Sequence, residues 1–208
     1  MSKQDLIVLV ADLDAEETIK ALLQRHQSLE IRPITYEVNR HPQRDAGCYN
    51  EAHIFLQSQA RYFRKALVIF DHHGSGHENE TTEAIQTQIE RQMASNGWGE
   101  ADVCVIVLHP ELEIWVWSTP PEVDRILKWS EKKPPVRDWL KNETEYWNSE
   151  DLKPHAPKEA LQAALRQVKT HFSARIFADL GTNVSTRQCQ DSSFLRLKTV
   201  LQTWFPND

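Results

Sequence analysis

The residues best suited to chemistry in this chain are acids and histidines that directly follow apolar runs. Asp12 and Asp14 follow LIVLVA, with Glu16 and Glu17 next. Asp71 follows ALVIF and opens Asp71-His72-His73-Gly74-Ser75-Gly76-His77-Glu78, three His within six residues beside two acids. VCVIVL runs into His109, Glu111 and Glu113. Carboxylates gathered in one place repel unless a proton or a cation intervenes. Oxygen-rich sets suit Mg²⁺ or Mn²⁺, and added imidazole shifts the preference toward Mn²⁺, Fe or Zn²⁺. Asp12 and Glu16 are four residues apart, so a helix beginning near Asp14 would aim both at one ion. The alternative for the neighbouring acids is structural, with Asp14 capping that helix and Glu17 favouring its dipole. An extended backbone after His109 would put Glu111 and Glu113 on one side. His72, His73 and His77 form an alternative Zn²⁺ set. Arg40 and Arg44 sit in a polar loop, and Lys158 opens a helix after KPHAP; Arg44 and Lys158 are the candidate phosphate-binding residues. There is no Walker phosphate loop, no GxSxG and no activating motif around Cys48 or Cys104.

These residues need a scaffold that brings strand ends together. Apolar runs at 5–11, 66–70 and 103–108 read as strands buried on both faces, with a further strand at 31–38 whose Pro33 suggests an edge or a bulge. Helical spacing predicts helices over 15–29, 48–63 and 81–93, the last capped by Thr81 or Asn79, with 39–47 and 72–79 as loops. The alternation βαβαβαβ predicts an α/β fold with a mostly parallel sheet and helices on both faces, Rossmann-like in character. In such sheets ligands bind beyond the carboxyl ends of the strands, where the acids stand. From Pro120 the chain turns Pro-rich, and helices are expected at 158–172, 174–180 and 192–204. We therefore divide the chain near Thr119 into an α/β domain, 1–118, and a helical C-terminal extension packed on it, 119–208. Trp115 and Trp117 read as core, and Trp129, Trp139 and Trp147 as pins fastening the later helices onto the sheet.

Composition narrows the function further. The chain has 208 residues and a net charge of −6, which argues against coating nucleic acid by charge alone but not against a local basic groove. Three widely spaced Cys without CxxC support neither a disulfide framework nor a Cys zinc site. No apolar run approaches the roughly 18 residues of a spanning helix, and no signal peptide is visible, so a cytoplasmic protein without membrane contact is expected.

Two family resemblances follow from the motifs. IVLVADLDAEETI, with Asp12 and Glu16, and ALVIFDHHGSG, with Asp71 and with His73 where a second acid would stand, resemble the Toprim fold of topoisomerases, primases and overcoming-lysogenization-defect nucleases. Together with HPQRDAGC, HPELEIWVWS, KPHAPKEA and SFLRLKTVLQTWF they resemble the Toprim-like component of methylation-associated phage-defence systems. The first acid is Asp12 rather than Glu followed by Gly, and His73 replaces an acid. The resemblance implies antiviral defence through a divalent-metal site, with Mg²⁺ or Mn²⁺ and nuclease-type phosphodiester hydrolysis. Asp12, Glu16, Asp71, His73 and Glu113 would be the ligands. Glu16, His73, Glu113 and Lys158 would do the catalytic work, and Arg44 and Lys158 would steady the phosphate. Nucleic acid and other defence-system proteins are the expected partners, with homo-oligomerisation left open. The alternative within the same resemblance is a non-catalytic subunit that binds a partner of the defence complex. DLDA and IFDHH also resemble the DHH phosphoesterases, which implies Mn²⁺-dependent cleavage of short nucleotides. No intermediate strand-end Asp and no GGGH-like segment accompany them.

Overall fold

Four apolar-rich segments form one sheet. The computed structural model describes residues 2–118, 120–183 and 189–207, and Thr119, the expected boundary, lies outside them. Strands β1 (Gln4–Val10), β2 (Tyr36–Arg40), β3 (Phe63–Asp71) and β4 (Val103–Leu108) are all parallel, in the order β2-β1-β3-β4. The register pairs Val10 with Arg40 and Ile69, and Asp71 with Leu108. All four carboxyl ends therefore open on one edge, as a parallel sheet requires.

The α/β architecture with helices on both faces is as expected. Helices α3 (Arg44–Phe55) and α4 (Thr82–Ser95) cover one face, burying Cys48, Ala52, Ile85 and Ile89 against Ile7, Leu9, Val68 and Phe70. Helices α1 (Leu13–Leu23) and α2 (His26–Leu29) lie over the other, where Ile19 and Leu22 meet Leu6, Val8 and Leu67. The helices of the second half join this same apolar cluster: α5 (Pro120–Ile126), α6 (Val136–Glu143), α7 (Pro157–Gln167), α8 (Ala174–Asn183) and α9 (Ser192–Trp204). Gly181 lets α8 lie close along α1, because a Cβ there would stand 2.9 Å from Ala21 and 3.0 Å from the Thr18 carbonyl oxygen. No helix among the described residues is long and apolar enough to cross a membrane.

The structure corrects several element boundaries. The helix expected over 15–29 begins at Leu13, breaks after Leu23 and resumes as α2. Ile31 makes only an isolated bridge to Pro206, and the second strand starts after Pro33 at Tyr36, where consecutive N–H donors become available. Part of the expected 39–47 loop is helical, since α3 starts at Arg44 rather than Cys48. The helix expected at 48–63 ends at Phe55, followed by a 3₁₀ turn over Gln57–Arg61. Residues after His109 are not extended but form a 3₁₀ segment, Leu112–Ser118. Trp115 and Trp117 are buried there, as expected, donating through their indole nitrogens to Ser193 Oγ (2.7 Å) and the Pro157 carbonyl (3.2 Å). Trp147 packs on Trp117 and Trp129 on Trp139, at 5.4 and 5.0 Å between centroids. These pins fasten the later helices to one another and to the segment after β4, within the apolar cluster that covers one face of the sheet.

Candidate metal centre

The site is built where β3 and β4 end. Asp71 closes β3, and its Oδ1 accepts the Leu112 N–H at 2.9 Å, tying the end of one strand to the start of the 3₁₀ segment after its neighbour. That tie brings in Glu111 and Glu113, both buried. Each of the three acids offers an oxygen within 4.8 Å of the other two. Asp45, in the first turn of α3, accepts the Asp71 N–H at 2.8 Å. Lys158, in the first turn of α7, reaches Glu111 Oε2 at 3.4 Å.

The charges are mutually expensive. Burial, followed by repulsion from Asp45, Glu113, Asp12 and Glu111, holds Asp71 well above the usual carboxylate range. Burial pushes Glu113 up to about 7, with Lys158 opposing and Glu111 and Asp14 adding to it. Burial and the Asp12 carboxylate push Asp14 up to about 6 against the pull of Lys158. Asp45 is raised by burial, although the Asp71 N–H stabilises its charge. Burial works against the Lys158 ammonium, but Glu113 and Glu111 outweigh it and hold its proton more tightly than usual. One ammonium thus faces a group of carboxylates, the condition under which a divalent cation adds most. The donor set fits the expected ion: hard carboxylate oxygens only, suited to Mg²⁺ or Mn²⁺ rather than Zn²⁺.

The expected residues divide into those brought together and those kept apart. Asp71, Glu113 and Lys158 meet as expected, with Glu111 as the third acid. Asp12 stands near, but its side chain caps α1 by accepting the Ala15 N–H at 3.0 Å, the role expected of Asp14. Glu16 is not among the converging acids, because Lys20 at 2.5 Å and Arg40 at 2.8 Å hold it. His73 is exposed and outside the acidic set, so the position expected to carry a second ligand carries none. The Zn²⁺ alternative is not assembled either. His72 is buried between His109 Nδ1 and the Glu80 carbonyl, each at 3.0 Å, and His77 binds Glu80 Oε1 at 2.7 Å while stacking on Tyr49. Arg44 lies in the cleft next to the cluster rather than among the acids. Asp45 escaped the sequence reading because it fell in a segment read as loop. Pro42 followed shortly by an acid, a frequent helix-start pattern, was the available signal. His41 packs so closely that a Cβ on Gly47 would stand 1.8 Å from its Nδ1, which restricts position 47 to glycine and seats the first turns of α3 against β2.

No family model matches this chain, and no curated protein or solved structure is detectably similar to it.

Proposed function

We propose that the protein is a metal-dependent phosphodiesterase acting on nucleic acid. The observation that carries this reading is the convergence of Asp71, Glu111 and Glu113 within 4.8 Å at the carboxyl edge of a parallel sheet. These three would hold Mg²⁺ or Mn²⁺, which when bound activates water and offsets charge on the phosphate. Lys158, against Glu111, orients a phosphate oxygen next to the acids. Asp14, with its pKa near 6, is able to take up and return a proton around neutral pH. Asp45 holds the Asp71 backbone and so sets where that carboxylate points. An antiviral role is supported by the motif resemblance alone.

Incubation of the purified protein with plasmid and with single-stranded DNA in Mg²⁺ or Mn²⁺ tests the chemistry. Cleavage is expected, with a drop of at least about a hundredfold for Asp71→Ala, in line with loss of a principal electrostatic contributor. Cleavage that survives this substitution overturns the assignment. Phage plating on cells carrying the wild type or the Asp71→Ala variant tests the biological role.

A further inference from the structure

Next to the acidic cluster, a cleft of about 770 Å³ runs over the ends of β1 and β2, with Asp14 and Lys158 on its wall. This is room for one nucleotide. A base-paired duplex offers phosphates to such a cleft, but its internal bases are stacked on both faces and cannot enter. Three carboxylates (Asp12, Asp14 and Glu16) and three cations (Arg40, Arg44 and Lys158) line the cleft. Two of those carboxylates are already engaged: Asp12 caps α1, and Glu16 is held by Lys20 and Arg40. Two of the cations are engaged as well, Arg40 by Glu16 and Lys158 by Glu111, so the lining charges balance, and a cation bound next to the cleft would make it attractive to a phosphate.

Two lining residues have no evident structural task. Arg44 is exposed and has no ion-pair partner among the described residues, and its backbone is held at φ 52°, in the left-handed region. Glu30, Lys128 and Lys169 share that conformation without lining the cleft, so the absent ion pair is what singles Arg44 out. Phe172 lies between α7 and α8 with 38% of its surface exposed, secured by an edge contact to Phe177 at 5.6 Å. A partly exposed ring and an unpaired guanidinium lining one cleft suit a base and a phosphate of the same strand.

We infer that this cleft binds one unpaired nucleotide of a single-stranded nucleic acid, with Phe172 as the platform for the base and Arg44 holding a phosphate. The inference rests on the proposed phosphodiester chemistry of the adjoining cluster and names its substrate class as single strands, DNA or RNA, in preference to duplex. Stacking on an aromatic is tolerant of base identity, so little sequence preference accompanies it.

Fluorescence anisotropy with labelled oligo-dT, oligo-rU and a blunt DNA hairpin, in Ca²⁺ to support binding, is the test. At least one single strand binds more tightly than the hairpin, and the tighter of the two names the polymer. Phe172→Ala weakens that binding by at least about fivefold, Phe172→Tyr retains it, and Arg44→Ala lowers the salt slope by about one. Equal affinity for the hairpin overturns the inference, as does Phe172→Ala binding like wild type while its melting temperature is unchanged. Calorimetry with Mn²⁺ alone separates the two readings. Mn²⁺ binding with no effect of Phe172→Ala on oligonucleotide affinity removes the nucleotide cleft and leaves the metal centre. Failure to bind Mn²⁺ with a Phe172-dependent affinity removes the metal centre and leaves the cleft.

Discussion

A carboxylate taken out of water must keep its proton or find positive charge. In the metal-free fold Asp71 takes the first course: burial and its neighbours favour its protonated form, and Lys158 contacts Glu111 instead. Asp71→Asn removes the charge while leaving an amide oxygen to accept the Leu112 N–H. In EDTA at neutral pH this variant is expected to melt a few degrees above wild type, because folding no longer has to protonate a carboxylate that is ionised in the unfolded chain. In Mn²⁺ the order reverses. A ligand at a hundred times its Kd stabilises the native state by about 2.7 kcal/mol, and the variant loses most of that gain. Differential scanning fluorimetry with and without Mn²⁺ reads both effects, and a variant that melts lower in EDTA contradicts the account. The same residue scale shows what could be read in advance. Asp71 was legible because it directly follows a buried strand, whereas Glu113 was picked on an extended backbone that the structure replaces with a 3₁₀ segment. Glu16 and His73 were misread because spacing places a residue near a site but does not reveal a competing cation or the direction of a loop.

Among the elements, β4 is one of the two edge strands of an all-parallel sheet. Edges invite pairing with another chain unless they are covered. Here Glu90 Oε1 accepts the Val105 N–H at 2.9 Å, and Arg196 donates from Nε to the Val105 carbonyl at 3.1 Å and from Nη2 to Glu90 at 2.7 Å. One ion pair from α4 and α9 therefore occupies both polar groups of the residue that an added strand would use. Arg196→Ala is expected to cost about 1 kcal/mol in urea unfolding and to produce association that grows with concentration in sedimentation velocity. A variant that stays at wild-type mass would show that α9 itself shields the edge. The three buried strands were readable from their apolar runs, and α4 from its cap and spacing. The start of α3 and the 3₁₀ turn after β4 were not, because short polar helices are set by contacts with neighbouring elements rather than by periodicity.

Over the whole molecule, two sets of carboxyls set opposite pH dependences. Asp5, at the start of β1, accepts from Arg32 at 2.7 and 3.2 Å and from the Thr35 N–H at 2.9 Å, joining β1 to the link between α2 and β2. The Arg32 hydrogen bonds lower its pKa to about 2, against some burial. Its folded pKa lies below the unfolded value, so its contribution is complete above about pH 5 and is lost as pH falls from about 4 toward 2. With the guanidinium partly in solvent, that contribution is about 1 kcal/mol. Glu113 and Asp14 have raised folded values, about 7 and about 6, so the metal-free fold gains stability as pH falls from 8 to 5. Urea unfolding in EDTA across this range should therefore give a maximum between about pH 4 and 5. Asp5→Asn is expected to flatten only the acid limb. A profile that climbs steadily toward pH 8 would refute the burial of these acids.

By itself the sequence determined the fold class, the sheet edge at which the acids gather and the core role of Trp115 and Trp117. Those properties follow from local apolar runs and their alternation with helical spacing. Only the tertiary structure decided which acids share a site. Asp71, Glu111 and Glu113 meet because β3 and β4 are neighbours in register and the Leu112 N–H bonds to Asp71. Asp45 and Lys158 arrive from helices far away in the chain. Hydrophobic pattern is a property of neighbours along the chain, whereas a charge cluster is a property of neighbours in space, fixed by strand order and helix packing.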